Sequence, residues 1–131
     1  MLCRTSNPGA RDVQDFTSGG KKLYQRIAEK AASDWNGNAN VLLVVGATYP
    51  EELREVRAVV GDMPILVPGV GAQGGDVAAV LANGATAEGT GLVISSSRAV
   101  LYAGSGADYA QAARAAALKL RDEINSCRKS T

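Results

Sequence analysis

The chain has no histidine and only two cysteines, one tryptophan and one phenylalanine among its 131 residues. Without histidine it lacks the commonest metal ligand and the side chain that titrates nearest neutral pH. Two thiols cannot complete a tetrahedral zinc site, so no metal is expected. Cys3 and Cys127 stand at opposite ends of the sequence and read as free thiols of a reducing compartment rather than a staple. An excess of one charge is also lacking. Fourteen Lys and Arg face thirteen Asp and Glu, a net charge of +1. With no run of like charge, nothing offers an electrostatic footprint for nucleic acid or an anionic membrane. The longest apolar run, Val41–Val45, falls far short of the roughly 20 residues that cross a bilayer. Met1-Leu2-Cys3-Arg4-Thr5 lacks the apolar core of a signal peptide, so a cytoplasmic location is expected.

What remains is a globular composition, 46% hydrophobic and 21% charged, arranged as alternating strand and helix signals. Met1–Arg4 is short and largely apolar, and Thr5-Ser6-Asn7-Pro8-Gly9 breaks it with turn residues. From Gly20 the period turns helical, with Leu23, Ile27 and Ala31 on one stripe and Trp35 a turn further on, until Asn36-Gly37-Asn38 stops it. Val41–Val45 suits a strand buried on both faces of a parallel sheet. Pro50, Glu51 and Glu52 open a second helix that buries Leu53, Val56 and Val60 and ends at Gly61. Pro64–Pro68 reads as a strand, Asp76–Ala82 as a helix capped by Asp76, and Leu92–Ile94 as a strand. Ala99–Ala103 suggests a short extra helix. The last helix spans about Asp108–Cys127, with Ala113, Ala116, Leu120 and Ile124 as its buried stripe. Four βα units would leave two bare sheet edges. A complete (βα)8 barrel needs about 250 residues, so the expectation is an α/β fold, either a small open sandwich or a half-barrel.

The glycine loop Gly69-Val70-Gly71-Ala72-Gln73-Gly74-Gly75 lies between a strand and a helix, where backbone N–H groups can cradle a phosphate. Glycine allows close approach and positive φ there. A tight turn without a ligand is the plainer alternative. The loop also matches G-x-G-x-x-G, with Glu88 near the spacing of a ribose-binding acid. Yet Glu88 precedes the next strand, and two βα units precede the loop, which weighs against a dinucleotide site. Arg98, after Ser95-Ser96-Ser97 at a strand end, faces the same rim and suits bidentate phosphate recognition. Its alternative is a surface salt bridge. Ser6 and Gln73 are the other polar groups at strand ends, fit either to bond a ligand or to cap a turn.

Four ordered stretches carry a resemblance. Thr5-Ser6-Asn7-Pro8-Gly9, Val44-Val45-Gly46-Ala47-Thr48, Leu66–Asp76 and Ser97-Arg98-Ala99-Val100-Leu101-Tyr102-Ala103 resemble the C-terminal half of orotidine 5′-phosphate decarboxylase. The likeness implies a (βα)8 TIM-barrel family fold, with residues 1–131 supplying strands five to eight and their helices. It implies that Ser6 bonds the pyrimidine amide, that Gln73 reaches both phosphate and Ser6, and that Arg98 binds phosphate with backbone help at Ser97. Pro68 and Val70 would lie near the pyrimidine, and Gly69 and Gly71 would belong to the same substrate-binding set. The implied reaction converts orotidine monophosphate to UMP and CO2 in pyrimidine biosynthesis, with no cofactor or metal, in a homodimer. The family's Lys and Asp catalytic array belongs to the other half-barrel, and no counterpart stands in this chain. Lys119 and Asp122 sit on the final helix and cannot supply it. The chain alone would then be inactive. Two other readings stay open, an inert self-associated half-barrel that only binds phosphate and an NADP-binding Rossmann-type domain.

Overall fold

A computed structural model describes residues 1–71 and 74–128. Strand β1 (Leu2–Arg4) leads into a short helix α1 (Ala10–Gln14) and an antiparallel hairpin, β2 (Thr17–Ser18) and β3 (Lys21–Lys22). Helix α2 (Leu23–Lys30) ends in a π-helical turn, Ala31–Trp35, closed at Asn36. Then follow β4 (Leu43–Val45), α3 (Pro50–Val60), β5 (Ile65–Pro68), α4 (Val77–Gly84), β6 (Leu92–Ser95), α5 (Ser97–Leu101) and α6 (Tyr109–Arg128). The four long-range strands form one parallel sheet in the order β1-β4-β5-β6. Each new strand is added beside the last, with helices between. This is the winding of a barrel, and the chain forms half of one. A Rossmann-type sheet instead reverses its order at a switch point, where the dinucleotide binds. The sheet here has no such reversal, so the NADP-binding reading is overturned.

One face of the sheet is covered and the other is not. Cys3, Leu43, Val45, Ile65 and Val67 pack with Tyr24 and Ala28 of α2, Leu53, Val56 and Val60 of α3, and Val77, Val80 and Leu81 of α4. On the opposite face Leu2, Val44, Leu66 and Val93 are register partners and make an apolar row across all four strands. Leu2 is 66% exposed and Val93 52%. Val41–Val45 is therefore not buried on both faces as expected, because the helices cover only one. In a closed barrel the uncovered row is the inward-facing one.

Several sequence readings need correction. The buried stripe of α2 is Tyr24, Ala28 and Ala31, one residue round from Leu23 and Ile27, and Trp35 is half-exposed. The Tyr24 hydroxyl donates to Glu55 of α3, which turns that face inward. The hairpin went unforeseen although its turn, Gly19-Gly20, has the paired positive φ of a type I′ connection. On α6 the residues Ala113, Ala116, Leu120 and Ile124 face the body of the protein but are only half-buried. Neither cysteine is in a disulfide, and Cys3 is buried with its Sγ donating to the Tyr24 carbonyl at 3.2 Å. Among the described residues no helix is long and apolar enough to cross a membrane, and no group of side chains could hold a metal ion.

Arg57 of α3 ties the N-terminal ends of the strands together. Its guanidinium donates to the carbonyls of Gly84 at 2.7 Å, Met63 at 2.8 Å and Gly91 at 2.9 Å, and also to Gly61. These carbonyls end α3 and α4 and precede β5 and β6; Gly91 O also accepts from Ile65 N at 3.0 Å, while those of Gly61, Met63 and Gly84 have no backbone N–H partner among the described residues. Arg57→Met keeps the stem and strips every donor. It is expected to lower unfolding stability by about 2–4 kcal/mol, read from urea midpoints at constant slope. A loss below about 0.5 kcal/mol, the range of ordinary surface changes, would contradict this role.

Candidate functional site

Parallel pairing continues past the strand ends and brings four loops to one rim. Gly46 N donates to Arg4 O at 2.9 Å, Ala47 N to Pro68 O at 2.9 Å, and Gly69 N to Ser95 O at 3.2 Å. Pro68 and Ser95 are direct register partners. Their loops enclose a cleft of about 70 Å³ lined by Pro68, Gly69, Val70, Ser95, Ser96, Ser97 and Arg98. Drug-sized pockets run from about 300 to 1,000 Å³, so this cleft has room for a phosphate-sized group and not for a whole nucleotide. A larger hollow of about 270 Å³, beside Leu81, Gly91, Leu92 and Ile124, lies toward the other end of β6 and gathers few polar groups.

The glycine loop is wound on itself. Gly71 N donates to Gly75 O at 3.0 Å, Gly74 N to Gly71 O at 2.8 Å, and Gly75 N to Gly69 O at 3.3 Å. Gly69, Gly71 and Gly74 all have positive φ, the conformation that favours glycine. A Cβ on Gly75 would stand 2.5 Å from that of Ala47, so this residue is pinned against the neighbouring loop. The helix that follows has one of its first amides capped, while those of Val77 and Ala78 have no partner among the described residues. The Asp76 carboxylate accepts from Ala79 N at 2.7 Å and places a negative charge at the start of α4. Several of the loop's glycine N–H groups are thus already paired, and a carboxylate stands at the start of α4.

The open donors lie one strand further on. Ser96 is the N-cap of α5, but its hydroxyl caps nothing there. It donates instead to the Val70 carbonyl at 2.7 Å. Val100 N takes the Ser96 carbonyl at 3.2 Å, while the N–H groups of Ser97, Arg98 and Ala99 have no partner among the described residues. Unpaired N–H groups at a helix start attract an anion. The Arg98 side chain is exposed and makes no hydrogen bond or ion pair with any described residue, so the salt-bridge alternative has no support.

Of the anticipated site residues, Pro68, Gly69, Val70, Ser97 and Arg98 meet in the one cleft. Gly71 adjoins it, since a Cβ there would lie 3.6 Å from Ser96 Oγ. Val70 is 1% exposed and packed in the core, so it brings its carbonyl rather than its side chain. Ser6 is exposed beyond β1 and stacked on Gly46, apart from the cleft lining. Gln73 lies outside the described residues. Sequence reasoning missed Ser95 and Ser96. The signal was the serine triplet itself, because successive residues at a strand end point opposite ways.

It also missed Arg4, a fully buried cation. Nη1 donates to Gln14 Oε1 at 3.3 Å, Nη2 pairs with Asp15 at 3.2 Å and Glu52 at 3.6 Å, and the Tyr49 ring lies 4.6 Å from the guanidinium carbon. A buried charge is tolerated only with such partners. Gln14 then passes this order to the rim, accepting from Thr5 N at 2.9 Å and donating to Thr5 Oγ1 at 2.9 Å, next to Ser6.

With this geometry in place, known proteins give a consistent comparison. The profile of the orotidine 5′-phosphate decarboxylase / HUMPS family matches residues 1–116. The chain belongs to that family. Relatives named orotidine 5′-phosphate decarboxylase include that of Azoarcus sp. (strain BH72), 60% identical over 98% of this chain and 47% of its own length. That of Cellvibrio japonicus is 62% identical with the same coverage. Among solved structures, Leishmania donovani OMP decarboxylase superposes with a TM-score of 0.81 at 42% identity, over 97% of this chain and 46% of its own. Leishmania donovani UMP synthase superposes with a TM-score of 0.82 at 44% identity, over 97% of this chain and 27% of its own. The chain therefore spans about half the length of the curated relatives it matches. For this family, Arg98→Ala is expected to weaken phosphate binding by about 2–3 kcal/mol, since it removes a charge-assisted contact. Calorimetric titration with UMP checks this, and unchanged affinity would remove Arg98 from the site.

Proposed function

We propose that residues 1–131 are the C-terminal half, strands five to eight, of an orotidine 5′-phosphate decarboxylase barrel and form its nucleotide-gripping side. The observation that carries this reading is the pairing of a family match over most of the chain with an unpaired arginine and free helix amides in one cleft. Arg98, with the Ser97 amide, holds the phosphate. Gly69 and Gly71 let the ligand approach, Pro68 and the Val70 backbone border it, and Gln73 and Ser6 reach the phosphate and the pyrimidine ring.

The reaction breaks the bond between C6 and the carboxyl carbon of orotidine monophosphate. CO2 leaves, the electron pair stays on C6, and a proton arrives there to give UMP. No residue of the cleft supplies that proton. The Lys and Asp array that does so comes from the N-terminal half of the barrel, with an Asp from a second subunit of a homodimer. This chain contributes binding energy made far from the reacting carbon. Such energy accelerates the step only when it is spent on positioning at C6. No cofactor or metal takes part, and the enzyme is a cytoplasmic carboxy-lyase of pyrimidine biosynthesis. The apolar row Leu2, Val44, Leu66 and Val93, with the free edges of β1 and β6, supports a second half-barrel closing over this one.

Co-expression with the N-terminal half of the Azoarcus relative tests the proposal. UMP formation from orotidine monophosphate is expected in the mixture and not with either half alone. A folded mixture that binds phosphate yet stays inert would favour the self-associated, phosphate-binding half-barrel instead.

A further inference from the structure

The serines at the end of β6 stand where strand geometry hands over to helix. The hydroxyls of Ser95 and Ser97 lie 3.4 Å apart at the cleft. That of Ser96 turns away to the Val70 carbonyl at 2.7 Å. Val70 sits between Gly69 and Gly71, both at positive φ, which have no side chains to anchor the loop. Its own side chain is locked in the core, so a bond to its carbonyl grips the loop at a fixed point. The same Ser96 begins α5 through its carbonyl, which accepts from Val100 N. One residue thus belongs to the helix by its main chain and to the loop by its hydroxyl. An N-cap serine ordinarily spends that hydroxyl on its own helix. Diverting it frees the first amides of α5 and at the same time sets their distance from the glycine loop.

We infer that Ser96 is a positioning residue of the phosphate clasp: it aligns the Ser97 amide and Arg98 against the Gly69–Gly71 wall without itself contacting the ligand. The inference rests on the phosphate reading of the cleft given above. It assigns a cost to removing one hydroxyl whose proton is already given to the Val70 carbonyl. Without it the Val70 carbonyl is left unpaired in a half-buried place, a penalty that loop movement would relieve.

The test is calorimetric titration of the 131-residue protein with inorganic phosphate and with UMP. Ser96→Ala is expected to weaken both by roughly tenfold, and Ser96→Thr, which keeps the hydroxyl, to restore them. Combined with Arg98→Ala, the losses should be less than additive, because Ser96 acts through the placement of Arg98. A role confined to stability would lower the urea midpoint and leave the affinity of the folded protein unchanged. That result, or strict additivity with Arg98→Ala, overturns the inference while leaving the phosphate site standing. Wild-type protein with no affinity for either probe overturns the site reading and the inference together. Should Ser96→Ala fail to fold, Ser96→Cys carries the same test with a weaker donor of similar shape. Phosphate affinity below wild type supports the inference, and wild-type affinity overturns it.

Discussion

The register between β5 and β6 places Pro68 opposite Ser95, and every feature of the rim follows from that alignment. Because parallel strands leave the sheet on the same side, the glycine loop and the Ser-Ser-Ser-Arg turn emerge as neighbours. Two bonds carry the alignment beyond the last strand residues. Gly69 N holds Ser95 O, and Ser96 Oγ holds Val70 O. A slip of one residue would turn the Ser96 hydroxyl toward the opposite face and break the second bond. The apolar alternation of Ile65, Val67 and their neighbours forbids such a slip, since it would move the core residues into the uncovered face. Core packing on one side of the sheet therefore determines which loops meet at its end.

Two helix N-termini stand at this rim, and side-chain chemistry separates them. Both α4 and α5 follow strands and both present amides toward the rim. Helix α4 begins with Asp76, whose carboxylate satisfies an amide and repels a second negative charge. Helix α5 begins with a serine whose hydroxyl is engaged elsewhere, and its second residue is an arginine with no partner among the described residues. In the function proposed above, the glycine loop is a wall that admits the ligand closely, and the donors come from its neighbour. This division suits the proposed decarboxylase reading, in which phosphate binding is remote from the chemistry and must be rigid to be useful there.

Much of this was legible in the sequence. The period of α3, its proline and acids at the start, and its glycine at the end were enough to place Leu53, Val56 and Val60 inward. The glycine loop and Arg98 could be set on one rim because both follow strands. What could not be read depended on segments distant in sequence. Arg4 looks like a polar strand end until Gln14, Asp15, Glu52 and Tyr49 converge on it. The inward face of α2 shifted by one residue because Tyr24 finds Glu55 on another helix. The hairpin at Thr17–Lys22 has strands too short to show alternation, although its glycine pair was a fair signal. The direction of the Ser96 hydroxyl needed the position of Val70, which only the folded loop supplies.

The most direct measurement is an amide nitrogen–proton correlation spectrum of the protein titrated with inorganic phosphate. If the clasp is built as described, the resonances of Ser97, Arg98 and Ala99 move together with one dissociation constant, and those of Val77 and Ala78 at the start of α4 stay in place. Movement confined to Val77 and Ala78, with Ser97 to Ala99 unchanged, would contradict it.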